Sequence, residues 1–374
     1  MKKILLITRP IAPPWDEASK NFAYYLAKNL NLSNQFELHL MTRGILPELP
    51  KQIIQESIYT TSQNDFALSQ KIRTLLFQIK NKKTFEIAHY FFTPTKLNTF
   101  FIKNFIKNSK TKSIQTIATL REDLFSDEEI KKLIFSDLII TYSDYAKHKL
   151  DTLGIRSVTR IYPGIDLDKY KKQGDANALR KKYNFSPDDF VLNFTGEYTR
   201  LGAIDNIIDS FIALAKKNSD IKLSLAVRIK NEKDAQKKEL VISQLKRNGL
   251  LNKVSFHDNG KFQMSDIYNL CDISLFPVQN MHGKFDVPLA AIEAMACEKP
   301  LILSDLPILK EFANKKNSLI IKRNSVSELS SAILELRANK QKRKEIGIEG
   351  RKFCLEHFDI KKVAEKYEKI YNQS

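Results

Sequence analysis

Short apolar runs alternate with amphipathic stretches along nearly the whole chain. In the first half, residues 3–8, 36–42, 85–89, 113–118, 138–141 and 158–162 read as strands, each too short and too continuously apolar for a helix. Between them, 18–30 places Phe22, Leu26 and Leu30 on one helical face, and 66–79, 96–108 and 145–153 carry the same period. The alternation restarts at 191–195 and continues through strands at 222–227, 254–257, 273–276, 301–303 and 318–321. Helices are expected at 203–217, at 232–248, in a short segment entered near Val287 and Pro288, and from about 322 to the end. Strands alternating with helices imply parallel sheets, so the expected class is α/β with two doubly wound domains. Turn residues and mixed charge accumulate after Tyr162, in YPGIDLDKYKKQGDANALRKKYNF, which places the boundary at 165/166.

The short helix after Pro288 is unlike the others. Leu289, Ala290, Ala291, Ile292, Ala294, Met295, Ala296 and Cys297 make it apolar on every face, as expected for a buried helix. A single carboxylate, Glu293, interrupts it. Burying an unpaired carboxylate is costly, so Glu293 is expected to be paired, protonated or poised for a ligand. Pro288 suits a first helical turn, and amides at such a helix start suit phosphate or sugar hydroxyls.

Composition narrows the picture. The 374 residues suffice for two domains, and a hydrophobic content of 43% suffices for two cores. Three scattered cysteines fit a reducing compartment and no zinc site. No run approaches the roughly 20 apolar residues of a membrane span, and the N-terminal run breaks at Arg9 before it reaches the length of a signal peptide core. These features predict a cytoplasmic protein. The net charge of +18 favours anionic partners. It is concentrated: from Lys71 to Lys112 there are ten Lys or Arg and one acid, Glu86. In KLNTFFIKNFIKNSKTK, Leu97, Phe100, Phe101 and Phe105 share a helical face among Lys96, Lys103, Lys107 and Lys110. That pattern fits either a core face with solvated lysines or a face that docks on anionic lipid at the inner side of the cell membrane. No nucleic-acid-binding motif accompanies the charge, so nucleic acid is not an expected partner. Neither half carries GxGxxG after its first strand, which excludes the usual dinucleotide fingerprint.

Five segments, in order, resemble the GT-B glycosyltransferases, and among them the retaining family 4 type. They are IAHYFFTPT, IYPGIDLDKY, SDIYNLCDISLFP, FDVPLAAIEAMACEKPLI and HFDIKKVAEKYEKIY. The resemblance implies two Rossmann-like domains, 1–165 for the acceptor and 166–359 for a nucleotide-sugar donor. Their facing sheets would enclose a cleft, and a final helix, 360–374, would pack back on the first domain. It implies that Glu293 holds the donor's ribose hydroxyls, since a carboxylate can accept two hydrogen bonds from a diol. It places the loop His282, Gly283, Phe285, Asp286, Val287, Pro288, Leu289 against the donor sugar and diphosphate. GEYTRLGA, 196–203, matches a phosphate-binding loop, making Arg200 the expected cation on the diphosphate, with Arg228 and Lys230 next. Such cations stabilise charge on the departing group, so Arg200 is expected to be catalytic. His89 matches a strand-end position facing the acceptor, with Lys96 on the same side; taken alone, a histidine ending an apolar strand is more often a packed core group. In the retaining mechanism of relatives the leaving phosphate helps to deprotonate the acceptor, so no protein nucleophile is expected.

The chain departs from the family pattern at several points. Phe285 replaces a first glutamate, with Asp286 one place off. Glu197 replaces an arginine, Leu201–Gly202 replaces a Lys-Gly pair, and residues 12–19 lack an acceptor-side glycine pair. A histidine usual after the fourth strand is missing from IATLRED. Asp166 and Asp168 spell a DxD, but at the hinge, where capping is the simpler role; no metal or other cofactor is expected. The expected partners are therefore a nucleotide-diphosphate sugar, a glycan or lipid-linked acceptor and an anionic membrane surface. Two alternatives stay open: a degenerate GT-B partner subunit or glycan-binding module, and a nucleotide-sugar 2-epimerase.

Overall fold

The computed structural model describes residues 1–13, 15, 17–30, 36–60, 67–258, 260 and 262–374. Two positions of the 12–19 stretch and the expected helix start at Phe66 lie outside the described residues. The chain forms two compact units. The first comprises Met1–Ile165, Gly283–Asp286 and His357–Ser374; the second comprises Asp166–His282 and Val287–Glu356.

The first unit is built on a parallel sheet of seven strands: β1 (Lys2–Ile11), β2 (Phe36–Thr42), β3 (Ile54–Glu56), β4 (Ile87–Phe91), β5 (Lys112–Ile117), β6 (Leu138–Thr141) and β7 (Val158–Arg160). Their spatial order is β3-β2-β1-β4-β5-β6-β7. The strands at the middle are apolar on both faces because helices cover both sides. On one side the core gathers Ile4, Leu6, Phe22, Leu26, Leu38 and Leu40 with residues of the last helix, Ile360–Gln373; on the other it gathers Leu5, Ile7, Tyr90, Ile102, Ile106 and Phe135. The last helix is held at its entry, where Ile165 N donates to Phe358 O at 2.8 Å and Ile360 N to Ile165 O at 3.1 Å. Gly164 makes that approach feasible, since a Cβ there would lie 2.8 Å from the Ile360 Cα.

The second unit has six parallel strands: β8 (Phe190–Glu197), β9 (Ile221–Arg228), β10 (Val254–Phe256), β11 (Ile273–Phe276), β12 (Leu301–Ser304) and β13 (Ser318–Ile321), ordered β10-β9-β8-β11-β12-β13. Each sheet reverses its strand order once, between β1 and β4 and between β8 and β11. Ligands of open parallel sheets bind beyond the carboxyl ends of the strands at such a reversal. Helix Leu289–Ala296 follows β11 and is walled by helix Lys340–His357. A Cβ on Gly347 of that helix would sit 2.3 Å from the Glu298 carbonyl oxygen, so only glycine allows the two segments to lie this close.

Strand Ile54–Glu56 and helix Ala176–Lys182 were not expected, and three further features differ from the sequence expectation. The 96–108 helix is α-helical only over Lys96–Phe101 and continues as a wider π-helical turn, Ile102–Ile106, closed by Lys107 N on Ile102 O at 2.8 Å. The wide turn keeps Ile102 and Ile106 buried while Phe100 and Phe105 stay exposed. Helix Asp127–Leu133 was not expected, although Ser126 and Glu129 form a capping box that a Ser-x-x-Glu spacing announces. Residues 283–286, expected beside the donor in the second half, are instead part of the first unit.

Candidate active site

The site of the second unit grows from the ends of β8 and β9. Glu197, the last residue of β8, is 3% exposed and gathers three cations: Lys230 Nζ at 2.8 Å, Arg228 Nη2 at 3.2 Å and Arg200 Nη1 at 3.8 Å. Register explains the gathering, because Glu197 pairs with Arg228 across β8 and β9. One buried carboxylate thus draws three cations together at a single strand end. The loop after β8 is tied to the loop after β11: Gln279 N donates to Leu201 O at 2.9 Å, and Arg200 Nε donates to His282 O at 3.2 Å. Gly202 has φ +67°, and a Cβ there would strike Gln279 at 2.7 Å, so the Gly that stands near the expected Lys-Gly pair serves this closure. Beneath it, Asp234 accepts from Thr199 Oγ1 at 2.7 Å and from Lys230 N at 3.1 Å, which orients both ends of the cation cluster.

Glu293 faces the same strand end from helix Leu289–Ala296. It is half-buried, and Tyr268 Oη donates to its Oε2 at 3.0 Å. Tyr170 also bonds its carboxylate, and the Lys169 charge acts on it. Burial pushes its pKa up to about 7, against these three influences that favour the ionised form. The Tyr268 hydroxyl also meets Thr195 of β8, two residues before Glu197, which links Glu293 to the strand that carries the cation cluster. Arg351 braces the arrangement: its guanidinium donates to the carbonyls of Tyr170 at 2.6 Å, Ala296 at 3.0 Å and Leu167 at 3.3 Å. Tyr170, Tyr268 and Arg351 are not expected from the sequence.

Helix Leu289–Ala296 starts from Pro288 with no side chain capping it. Its first amides have no acceptor within the helix. Val287 is fully buried and Leu289 nearly so, leaving backbone as the only group these residues can offer. The His282 side chain is exposed, while its amide donates to Asn280 Oδ1 at 3.1 Å.

Several expected site residues lie elsewhere. Asp286 is 2% exposed, accepts from Ser143 Oγ at 2.6 Å, and its amide donates to Ala118 O at 2.9 Å, all within the first unit. Phe285 packs on Tyr142 with ring centroids 5.0 Å apart. These contacts correct the expectation that Phe285 and Asp286 line the donor: both anchor Gly283–Asp286 to the first unit. His89 is likewise corrected. It is fully buried in β4, with Nδ1 2.8 Å from Tyr371 Oη and Nε2 2.7 Å from Thr116 Oγ1, and burial holds its pKa well below the ordinary 6.5. Both ring nitrogens are engaged within the first unit, so its imidazole is a core group rather than a surface for an acceptor. Lys96 is exposed and pairs with Glu129 at 2.5 Å. Asp166 Oδ1 accepts the amides of Asp168 and Lys169, each at 3.0 Å, and so caps a turn. Among the described residues no group of three or more His, Cys, Asp or Glu is placed to hold a metal ion, and no helix is long and apolar enough to cross a membrane.

Comparison with known proteins fits this geometry. Residues 175–353 match the family described as Glycosyl transferases group 1. The uncharacterized glycosyltransferase MJ1069 of Methanocaldococcus jannaschii is 24% identical over 254 residues, covering 67% of this chain and 62% of that protein. The capsular polysaccharide biosynthesis glycosyltransferase CapM of Staphylococcus aureus is 25% identical over 261 residues, covering 67% of this chain and 64% of that protein. The matched part thus spans less than two thirds of either relative. Anabaena Alr3699/HepE, solved in complex with UDP-glucose, superposes with a TM-score of 0.77 over 100% of both chains at 17% identity. That likeness establishes the fold as GT-B.

Proposed function

Because residues 175–353 match the family Glycosyl transferases group 1 and the fold is GT-B, we propose that this chain moves a sugar from a nucleotide-diphosphate donor to a hydroxyl of a glycan or lipid-linked acceptor, in the synthesis of cell-envelope polysaccharide or glycolipid. The observation that carries the reading is the pairing of a half-buried carboxylate, Glu293, with an electropositive cluster at the end of the adjoining strand. Glu293 accepts the ribose diol in its ionised form. Arg200, Arg228 and Lys230 take the diphosphate, assisted by the amides at the start of helix Leu289–Ala296.

Transfer breaks the bond between the anomeric carbon and the diphosphate oxygen and forms a new bond to the acceptor oxygen. The acceptor's proton passes to the departing diphosphate, and the anomeric configuration is retained. The cations gathered around Glu197 stabilise the charge that develops on the leaving group. Fixed charges in a site sheltered from water reorganise little during reaction, which is where such groups contribute most. His282, whose carbonyl meets Arg200, bears on the sugar in this reading, with Gly283 next to it in the chain. Lys96 belongs to the acceptor side in this reading, and no metal takes part.

Thermal shift against UDP-, GDP- and ADP-sugars tests the reading, since a ligand that binds only the folded state raises Tm. A shift with one nucleotide, followed by sugar transfer to an extract of the cell envelope, supports it. Silence across all three favours a non-catalytic partner subunit, a reading motivated by Glu197 standing where relatives carry arginine. Conversion of the donor sugar without acceptor favours an epimerase.

A further inference from the structure

Two neighbouring elements of the first unit expose apolar side chains that its core does not use. Helix Leu68–Lys80 presents Leu68, Ile72 and Leu76, spaced four apart and therefore on one face. The segment from Lys96 to Ile106 presents Leu97, Phe100 and Phe105. All six are between 46% and 67% exposed. Their inward counterparts, Leu75, Phe77, Ile79, Ile102 and Ile106, pack on the same side of the sheet. The two elements therefore lie side by side on one sheet face, and their outward faces form a common surface. Asn108 Nδ2 and Thr111 Oγ1 both donate to Lys82 O, at 2.7 and 3.1 Å, stitching the elements together at one end.

The charge on this surface is predominantly positive. Ten Lys or Arg residues and a single acid fall between Lys71 and Lys112. Glu129 and Asp137, from the neighbouring segment, pair Lys96 at 2.5 Å and Lys107 at 3.1 Å; Lys103 donates to the Lys132 carbonyl at 2.9 Å. Arg73, Lys80, Lys82, Lys83 and Lys110 remain exposed around the apolar side chains.

We propose that this surface docks the protein on an anionic lipid bilayer, with Phe100, Phe105, Ile72 and Leu76 entering the interfacial region and the lysines meeting the headgroups. Soluble surfaces rarely leave a contiguous apolar patch uncovered, and aromatic and aliphatic side chains ringed by lysine fit the headgroup–acyl boundary. Nucleic acid would satisfy the charge but has no use for Leu68, Ile72 and Leu76. A crevice between the two elements, lined by Leu5, Tyr90, Ile102, Ile106 and Phe135, holds about 30 Å³. That is room for a water or two. The proposal stands independently of the donor site in the second unit.

Flotation of the full chain with vesicles tests it, comparing phosphatidylcholine alone with phosphatidylcholine mixed with phosphatidylglycerol. The expected result is capture by the anionic vesicles only, falling steeply as salt is raised. Phe100→Ser with Phe105→Ser, and separately Lys82→Glu with Lys83→Glu, should each reduce capture roughly tenfold or more while Tm and the nucleotide-induced shift stay as in the parent. In Phe105→Trp, the new indole should shift its emission to the blue on adding anionic vesicles. Absence of capture, or capture indifferent to both double substitutions, overturns the proposal. A dimer in light scattering that dissociates in the Phe100→Ser, Phe105→Ser variant overturns it too, by assigning the patch to a second copy of the chain.

Discussion

Lys230 Nζ lies 2.8 Å from Glu197 Oε1, and this pair makes the strand end of the second unit a structured cation cluster instead of three independent side chains. Glu197 is nearly inaccessible and cannot itself meet a ligand. It fixes the spacing of Lys230, Arg228 and Arg200.

Glu197→Gln should therefore do two opposite things. It removes the compensating charge from a buried cluster, which should destabilise the protein by about 3 kcal/mol. It also makes the cluster one charge more positive, so binding of a bare nucleoside diphosphate should tighten a few-fold at low ionic strength and lose that gain in salt. Denaturant midpoints and calorimetric titration at two salt concentrations would check both parts.

Glu293→Gln separates ligand binding from stability. Turnover or nucleotide-sugar affinity should fall at least tenfold, roughly 1.4 kcal/mol or more, because an amide accepts a diol poorly. Unchanged kinetics would remove Glu293 from the site. The free protein should respond in the other direction. The folded-state pKa near 7 lies above the ordinary 4.5, so the folded state holds the proton more tightly. The stability this contributes is complete below about pH 4.5 and is lost as pH rises through 7. The variant should lack that slope and be more stable than the parent above pH 7, by on the order of 1–3 kcal/mol. Melting curves from pH 5 to 8 would show it.

Much of this site was legible in the sequence, for a physical reason: an isolated carboxylate in an all-apolar helix must find partners. Which partners it finds was not legible. Tyr268, Tyr170 and Arg351 reach Glu293 or its neighbours from helices and turns far away in sequence, and nothing local marks them. The strands were legible because both faces of each sheet are covered, which turns them into continuous apolar runs. Helix Ala176–Lys182 was missed because it has no buried residue and so no apolar period. His89 and Asp286 misled because a polar residue in an apolar run looks the same whether it meets solvent, a ligand or another buried side chain.

His89 should shape the acid limb of stability. Its folded-state pKa lies well below 6.5, so the unfolded chain binds a proton that the folded core excludes. The stability is complete above pH 6.5 and declines as pH falls toward the folded-state value. His89→Gln should flatten that decline. Tyr371→Phe, which takes the hydroxyl from Nδ1, should cost about 1–3 kcal/mol at neutral pH. Chemical denaturation at pH 5 and pH 7.5 would resolve the two effects.

Gly347→Ala should destabilise the second unit by roughly 1–3 kcal/mol, since the new methyl meets the Glu298 carbonyl, a backbone atom that cannot turn aside. Gly350→Ala on the same helix should be far milder, because its Cβ would meet Met295 at an ordinary 3.5 Å. A pair of urea titrations would compare them.

The bond between Tyr371 and His89 spans 282 positions, and it sets an order on synthesis. Domains emerging from a ribosome usually fold in turn, the earlier one first. Here the first sheet lacks Ile360, Val363, Tyr367 and Tyr371 until the whole second unit has been made. At ordinary elongation rates of about 5–20 residues per second, the first sheet, once its last strand is made, waits roughly 10–40 s for the helix that seals it. A nascent chain stalled before residue 357 should thus remain open to protease in its oldest part while its youngest sheet is already closed.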